Sequence, residues 1–164
     1  MADVIVPDAR IEAAEEGFPQ LFDYIDGANR PSLAMAAEDL QKEKQGDRDL
    51  EKGEIIHMTV PVVEAPSNDG WKTRFFLPKS YTLQTIPQPV NSNIVVSQTT
   101  PRKVAVLRYM GSDNDEVLNQ YEVKLRYELD KKGKVATGPA EYAFYNPPFK
   151  PPFLRKNEVI LPVE

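Results

Sequence analysis

The residues best suited to chemistry are few, because the chain has one histidine and no cysteine among its 164 residues. These counts exclude disulfides, thiolate catalysis, iron–sulfur clusters and any site that needs two imidazoles from one chain. His57 could act as a general base or as an axial metal ligand, but it lies in an apolar run, where a structural role is the alternative. Carboxylates are abundant, yet acid–base catalysis by two of them needs a proximity that the sequence does not define.

The sequence carries none of the short motifs that identify common catalytic sites. It has no Gly-x-Ser-x-Gly, no Gly-x-x-x-x-Gly-Lys, no Gly-x-Gly-x-x-Gly and no His-Glu-x-x-His. We therefore expect no familiar hydrolase, P-loop enzyme or Rossmann enzyme. An enzyme that acts on a bound small molecule remains a minor alternative.

A proline-rich segment near the C-terminus combines aromatic and basic side chains. Four prolines between residues 147 and 152 surround Phe149 and precede Phe153, and the nearby basic residues are Lys150, Arg155 and Lys156. Such a segment cannot pair as a central strand, so one interpretation is a rigid turn. The other is an apolar wall with cations at its mouth, which would suit a flat apolar ligand that bears carboxylates.

Residues 11–25 show the periodicity of an amphipathic helix, with acidic residues mostly between the apolar positions. Pro19 falls inside this pattern and predicts either a kink or the start of a second helix, and Gly27 provides a stop. Packing on a sheet is a sufficient explanation for the apolar residues, and a ligand cleft is the alternative. These residues are Ile11, Ala14, Phe18, Leu21, Phe22 and Ile25.

Apolar and β-branched runs predict strands in the rest of the chain. The expected strands cover residues 55–63, 71–77, 93–98, 103–109, 141–146 and 157–163. The turn sequence Asn68-Asp69-Gly70 predicts that the first two strands form a hairpin. We expect residues 93–98 to pair with residues 103–109.

A second helix is predicted from Ser112 onwards, because Asp115 follows it by three residues in an N-capping pattern. Its apolar positions recur at Leu118, Tyr121, Leu125 and Leu129. Each half of the chain then shows a strand, a helix and two strands. This order predicts an α+β fold that arose by duplication of a βαββ unit.

Charge and hydropathy define the broad class. The formal charge is −5, which argues against a general nucleic-acid binder. No apolar run is long enough to span a bilayer, and the first ten residues do not resemble a secretory signal, so a cytoplasmic location is expected. Residues 1–164 suit a single domain. Within it, residues 31–54 are predicted to be a charged, mobile insertion, with helix near residues 33–40.

Three motifs in order resemble the SOUL haem-binding protein family. They are FDYIDGAN at residues 22–29, MTVPV at residues 58–62, and YNPPFKP at residues 145–151 followed by RKNEV at residues 155–159. Residues 71–81 and 104–111 are also similar to family strands. The family's usual first-strand segment is absent, so we expect the first repeat to open near residues 4–6. The resemblance implies a distorted antiparallel β-barrel of two βαββ repeats flanked by two main α-helices.

The resemblance also implies a ligand and a site. Family members are associated with haem and other tetrapyrroles, held in an apolar cleft between the first helix and the proline-rich loop. Carried over by motif, Phe18, Leu21, Phe22 and Ile25 would line the macrocycle and Phe149 would cover it. Lys150 would approach a propionate, and Arg155 would add positive charge. This function is non-enzymatic binding, as a buffer or carrier.

Two positions depart from the family pattern. Glu15 occupies a helix position where a haem-binding member carries an arginine, so the charge there is reversed. His57 has no counterpart among the family's ligands, and it remains only a candidate axial ligand. The reversed charge favours the alternative function, a protein–protein interaction module that uses the same groove without a tetrapyrrole.

Overall fold

The computed structural model describes residues 1–32, 34, 53–147 and 149–164. The elements of the first half are β1 (Ala2–Val6), α1 (Arg10–Ile25), β2 (Asn29–Arg30), β3 (Val62–Ser67), β4 (Gly70–Phe75), β5 (Gln88–Pro89) and β6 (Val95–Val96). Those of the second half are β7 (Val104–Met110), α2 (Asp115–Lys131), β8 (Glu141–Phe144), a 3-10 helix (Pro152–Leu154) and β9 (Lys156–Pro162). Within the described residues, neither helix is long and apolar enough to cross a membrane.

Seven strands form one antiparallel sheet in the order β6-β1-β4-β3-β8-β9-β7. The order β1-β4-β3 in the first half mirrors β7-β9-β8 in the second, and the two halves meet where β3 pairs with β8. The α+β class and the repeated strand–helix–strand–strand order are therefore confirmed. In the part of the chain that the structure describes, β6 and β7 remain edge strands and no pairing closes the sheet into a barrel.

The predicted pairing of residues 93–98 with residues 103–109 is wrong. β6 pairs with β1, through Ala2–Val96 and Asp3–Val95, whereas β7 pairs with β9 along its whole length. The two segments therefore lie at opposite edges of the sheet. Sequence neighbours suggested a hairpin, but β7 opens the second repeat and pairs within that repeat.

The hairpin of β3 and β4 is confirmed, with its turn at Asn68 and Asp69. Gly70 has a φ of +126°, and a Cβ there would lie 2.1 Å from the carbonyl oxygen of Val6, so only glycine fits. The first strand nevertheless begins at Val62, not at residue 55. Residues 53–61 lie outside the sheet because they bond elsewhere: Ile56 N donates to Ile25 O, and Thr59 Oγ1 donates to Phe76 O.

Helix α1 continues without interruption through Pro19, so the alternative of a second helix starting there is wrong. Ala13, Gly17, Leu21 and Tyr24 face the sheet and are buried. Gly17 permits a close approach, because a Cβ there would lie 3.0 Å from side-chain atoms of both Val4 and Thr73. The helix therefore packs directly on β1 and β4.

Helix α2 begins two residues later than the Ser112 cap predicts. Asn114 is the N-cap, and its side chain accepts a hydrogen bond from Val117 N at 2.9 Å. Leu118, Leu125 and Leu129 are buried against β7 and β9, as their spacing predicts.

Both helices cover the same face of the sheet. Phe75 lies under α1 and Tyr109 lies under α2, and the register across the strands places these two residues on one face.

The opposite face carries cross-strand ion pairs in both repeats. Arg74 on β4 binds Asp3 on β1 at 2.8 Å, and Arg108 on β7 binds Glu158 on β9 at 2.6 Å. These pairs occupy equivalent places in the two repeats and lie in one row of the sheet. The internal symmetry therefore extends from strand order to side-chain pairing.

A side-chain amide joins the two ends of the predicted insertion. Asn29 donates to the carbonyls of Tyr24 at 2.8 Å and Glu54 at 2.7 Å, and its Oδ1 accepts from Glu54 N at 2.9 Å. The two ends of this segment are therefore held next to each other by the side chain of Asn29. Most of the predicted 31–54 insertion lies outside the described residues.

Arg10 connects the two halves at the first turn of α1. Its guanidinium donates to Glu64 on β3 at 2.6 Å, to Asp115 at 2.5 Å and to the carbonyl of Asp113 at 2.8 Å. Arg10 and Glu64 are each 8% exposed. One buried cation therefore joins α1, the central strand of the sheet (β3) and the start of α2.

We expect the Arg10→Met variant to lose about 3–5 kcal/mol in the free energy of unfolding, because Glu64 would be left as a buried charge without a partner. Burial raises the pKa of the Glu64 carboxyl, and Arg10 opposes that rise, so the variant has the higher Glu64 pKa. A carboxyl whose pKa is raised on folding binds more protons in the folded state. The variant's stability should therefore fall as the pH rises from the unfolded to the folded pKa of Glu64.

Urea unfolding followed by the fluorescence of Trp71 measures this at several pH values, since Trp71 is the single tryptophan of the chain. Adding Glu64→Gln to the variant removes the unpaired charge and should restore part of the loss. A double variant no more stable than Arg10→Met alone would contradict the assignment.

Candidate functional site

Three apolar residues on one flank of α1, two of them aromatic, form an exposed surface that we call the aromatic stripe. They are Ile11, Phe18 and Phe22, with exposed fractions of 44%, 37% and 42%. The rings of Phe18 and Phe22 are nearly parallel, with centroids 6.2 Å apart and an interplanar angle of 16°. Phe18 also meets Phe75 of β4 edge-on at 5.2 Å. The sequence left core packing and a ligand cleft as alternatives for these residues, and the structure shows that the sheet covers only the neighbouring flank of the helix.

Leu21 and Ile25 are core residues rather than cleft residues. They are 0% and 4% exposed and pack with Val4, Ile56 and Phe75. Their apolar surface is already covered by the protein, so the expectation that they line a ligand directly does not fit this geometry. They support the stripe from below.

The stripe faces the side of the sheet that carries β3 and β8. On the opposite flank of α1, Gln20 accepts a hydrogen bond from Asn91 at 2.8 Å, which directs that flank towards β6. Phe75 is in register with Val62 on β3, and Val62 with Phe144 on β8. Because the proline loop, residues 145–155, begins directly after Phe144, the stripe and this loop lie at the same end of the sheet.

The proline loop presents two aromatic side chains to solvent. Phe149 is 88% exposed and Phe153 is 71% exposed. Hydrogen bonds from Lys150 N to Pro147 O and from Leu154 N to Pro151 O turn the backbone back on itself. In the described residues, no ring of this loop contacts Phe18 or Phe22. The two sets of aromatic rings are therefore separate exposed surfaces.

Arg155 holds the proline loop in place. Its Nε donates to the carbonyl of Lys150 at 2.8 Å, and its Nη1 binds the carboxylate of Asp113 at 2.9 Å. The same Asp113 accepts a hydrogen bond from Arg10 through its carbonyl. A chain of polar contacts therefore links α1 to the loop, which makes Arg155 a positioning residue rather than a free cation.

Lys150 is the cation of this loop with no described ion pair or side-chain hydrogen bond. It is partly buried, and it lies next to Phe149 at the tip of the turn. It could therefore donate to a carboxylate of a ligand that covers Phe149. Of the residues predicted from sequence, Phe18, Phe22, Phe149 and Lys150 remain accessible at this end of the sheet.

His57 is exposed and lies in the irregular segment before β3. Among the described residues, no group of three His, Cys, Asp or Glu side chains could hold a metal ion. The expectation that His57 lies on a buried strand is wrong, because residues 53–61 are not part of the sheet. His57 could therefore act as an axial ligand only to an iron that a bound tetrapyrrole brings with it.

A separate pocket of about 540 Å³ lies on the β6 side of α1. Its lining includes Leu77, Tyr81, Leu83, Ile86 and Val96, and none of the predicted site residues. Glu54 accepts a short hydrogen bond from the hydroxyl of Tyr81. This pocket is distinct from the surface between the stripe and the proline loop.

Sequence reasoning missed three residues that shape the site: Phe75 beneath Phe18, and the pair Arg10 and Asp113. Arg10 had a signal, since its spacing of three and seven residues from Ala13 and Gly17 places it on the buried face of the helix. A buried arginine needs a carboxylate partner. Nothing local identifies Asp113, because its partners are 103 and 42 residues away.

The fold and site together define an α+β domain that carries an exposed aromatic surface beside a cationic, proline-stiffened loop. The model of the SOUL heme-binding protein family matches residues 1–162, so the chain belongs to that family. No curated protein matches the chain significantly. Among solved structures, the crystal structure of a hydrolase from Listeria innocua is similar, with a TM-score of 0.55 and 12% identity over 100% of this chain and 87% of that chain. At this identity the similarity shows the fold alone.

We expect Arg155→Ala to free the proline loop without unfolding the sheet. Loss of the bonds to Lys150 and Asp113 removes contacts that each contribute about 1–3 kcal/mol, so the hydrogen-bonded backbone amides of residues 150, 154 and 155 should exchange roughly tenfold faster or more. Hydrogen exchange read by mass spectrometry measures this. Arg102→Ala, which breaks an ion pair with Glu141, is the matched control and should leave these amides unchanged. Unchanged exchange in Arg155→Ala would contradict the positioning role.

Proposed function

We propose that this protein binds haem or a related tetrapyrrole non-covalently, as a buffer or carrier, in the cleft between α1 and the proline loop. The observation that carries the proposal is the exposed pair Phe18 and Phe22 in a member of a family described as heme-binding. Two large aromatic side chains left side by side in solvent are unusual unless another molecule covers them. A flat macrocycle matches their nearly parallel rings.

The residues present fit such a ligand in three respects. Phe18 and Phe22 offer a continuous apolar surface, and Phe75 fixes the first of these rings from below. Phe149 can cover the opposite side of the ligand. Covering about 200 Å² of apolar surface contributes about 5 kcal/mol, at about 25 cal/mol per Å², before ordering costs.

Lys150 and Arg155 have different tasks in this proposal. Lys150 donates from its ammonium group to a ligand carboxylate, and such a charge-assisted hydrogen bond is stronger than a neutral one. Arg155 holds the carbonyl of Lys150 and therefore fixes where that ammonium group is presented. Leu21 and Ile25 keep α1 seated on the sheet beneath the aromatic stripe.

No strong axial ligand is required for this mode of binding. When haem is the ligand, its iron supplies an open coordination position. The exposed side chain of His57 is the candidate to fill it. Binding carried by apolar area predicts that metal-free protoporphyrin binds about as tightly as haem. His57→Ala should then change haem affinity by less than about threefold, and a larger loss for haem alone would assign His57 to the iron.

We expect Phe22→Asp to weaken binding of both ferric haem and protoporphyrin by about tenfold or more. The substitution removes part of the apolar surface and places a charge that the ligand would have to desolvate. Absorption titrations of the Soret band measure the affinities. Tyr127→Asp, at a 57% exposed aromatic residue on α2, is the matched control and should bind as the parent protein does. Equal affinities for parent and Phe22→Asp would move the site elsewhere.

Lys150→Glu is expected to weaken both ligands by roughly tenfold, because it replaces an attractive charge with a repulsive one. Lys134→Glu makes the same charge change in the loop after α2 and serves as the control. The ligand recovered after incubation should have an unchanged mass. A chemically altered ligand would instead assign this protein a catalytic role.

A second candidate function is a protein–protein interaction module that uses the same groove, with the proline loop as one side of it and no tetrapyrrole ligand. The observation that favours it is the high exposure of Phe149 and Phe153, at 88% and 71%. Aromatic side chains on a rigid turn are suited to insertion into a partner's pocket. This function predicts no saturable porphyrin binding, and a protein partner that is lost on Phe149→Ser.

A further inference from the structure

The charges that border the proposed cleft are separated between its two walls. Glu15 of α1 precedes Phe18 by three residues, and Asp26, the C-cap residue of α1, follows Phe22 by four, so the two carboxylates bracket the aromatic rings on one flank of the helix. All four side chains are exposed. Neither carboxylate forms an ion pair within the described parts of the chain. The helix wall is therefore apolar at its centre and negative at both ends.

The loop wall has the opposite charge. Lys150 and Lys156 carry ammonium groups without described ion pairs, and both belong to the segment that follows β8. The nearby carboxylates are already engaged, because Asp113 binds Arg155 and Glu158 binds Arg108. A ligand carboxylate is therefore attracted by the loop and repelled by the helix.

We propose that Glu15 and Asp26 are specificity residues that select tetrapyrroles whose carboxylates lie on one edge of the macrocycle. This inference rests on the proposed function. A ligand of this kind places its carboxylate edge at Lys150 and its apolar edge on Phe18 and Phe22. A tetrapyrrole with carboxylates on all four pyrrole rings cannot avoid the acidic helix wall in any orientation.

The size of the effect follows from elementary electrostatics. Two like charges about 7 Å apart in a partly solvated cleft repel each other by an amount equivalent to roughly fivefold in affinity. Two acids therefore reject a ligand with carboxylates around its whole rim by roughly tenfold or more. The discrimination should weaken as the salt concentration rises, because exposed charges are screened.

The test compares two metal-free probes and two variants with isosteric, uncharged substitutions. Protoporphyrin IX carries its two carboxylates on one edge, and coproporphyrin III carries four around the rim. The Glu15→Gln/Asp26→Asn variant should bind coproporphyrin about tenfold more tightly than the parent and protoporphyrin within about twofold. The control Glu16→Gln/Asp23→Asn removes two exposed acids from the other side of the same helix, and it should change neither affinity.

Each outcome of these titrations has one meaning. An equal gain for both porphyrins would overturn the inference and leave the proposed function intact, because the carboxylate edge would then lie against α1. An unchanged coproporphyrin affinity would also overturn it. Absence of saturable binding of either porphyrin to the parent would overturn the proposed function itself.

A charge exchange tests orientation directly. Lys150→Glu should weaken protoporphyrin binding by roughly tenfold, as above. Adding Glu15→Lys should restore most of the affinity, because the ligand can turn its carboxylate edge to the new cation on α1. Failure of Glu15→Lys to restore binding, in a variant with unchanged urea unfolding, would overturn the assignment of the two walls.

Discussion

The contact on which this architecture depends is the buried ion pair of Arg10 with Glu64. The two repeats share one sheet, and among the described strands only β3 and β8 join them as neighbours. Arg10 adds a second connection on the helical side, because it reaches Asp113 and Asp115 from the first turn of α1. A buried cation costs desolvation free energy that apolar packing does not, so its partners must be held closely in place. Both helix starts are fixed by that requirement.

Local patterns were sufficient for most of the fold. The spacing of apolar residues predicted both helices, and Asn68-Asp69-Gly70 predicted the β3–β4 turn, because these signals act within a few residues. Pairing between distant strands has no such local signal, so the partner of β6 could not be inferred. The predicted start of β3 was also wrong, because the residues before it form hydrogen bonds with the last residue of α1 and with the residue after β4 instead.

The sequence predicted the residue types of the candidate site, but it did not predict which of them are exposed and which are buried or ion-paired. Phe18 and Leu21 look alike in the sequence, yet one is exposed and the other is fully buried, because one face of α1 meets the sheet and the adjacent flank does not. Likewise, Lys150 and Arg155 are two nearby cations. Only the fold shows that Asp113, from the start of α2, engages Arg155. Contacts of long sequence separation decide which side chains stay available.

The amide of Asn29 has a consequence for how this chain can vary. It joins Glu54 to the end of α1, so the residues on either side of positions 35–52 are held in the same place whatever the number of residues between them. Adding residues between two ends that are already held together costs little closure entropy, about 0.6 kcal/mol for each doubling of their number. Evolution can therefore lengthen, shorten or replace this stretch, and an engineer can graft a reporter into it, while the aromatic stripe keeps its position.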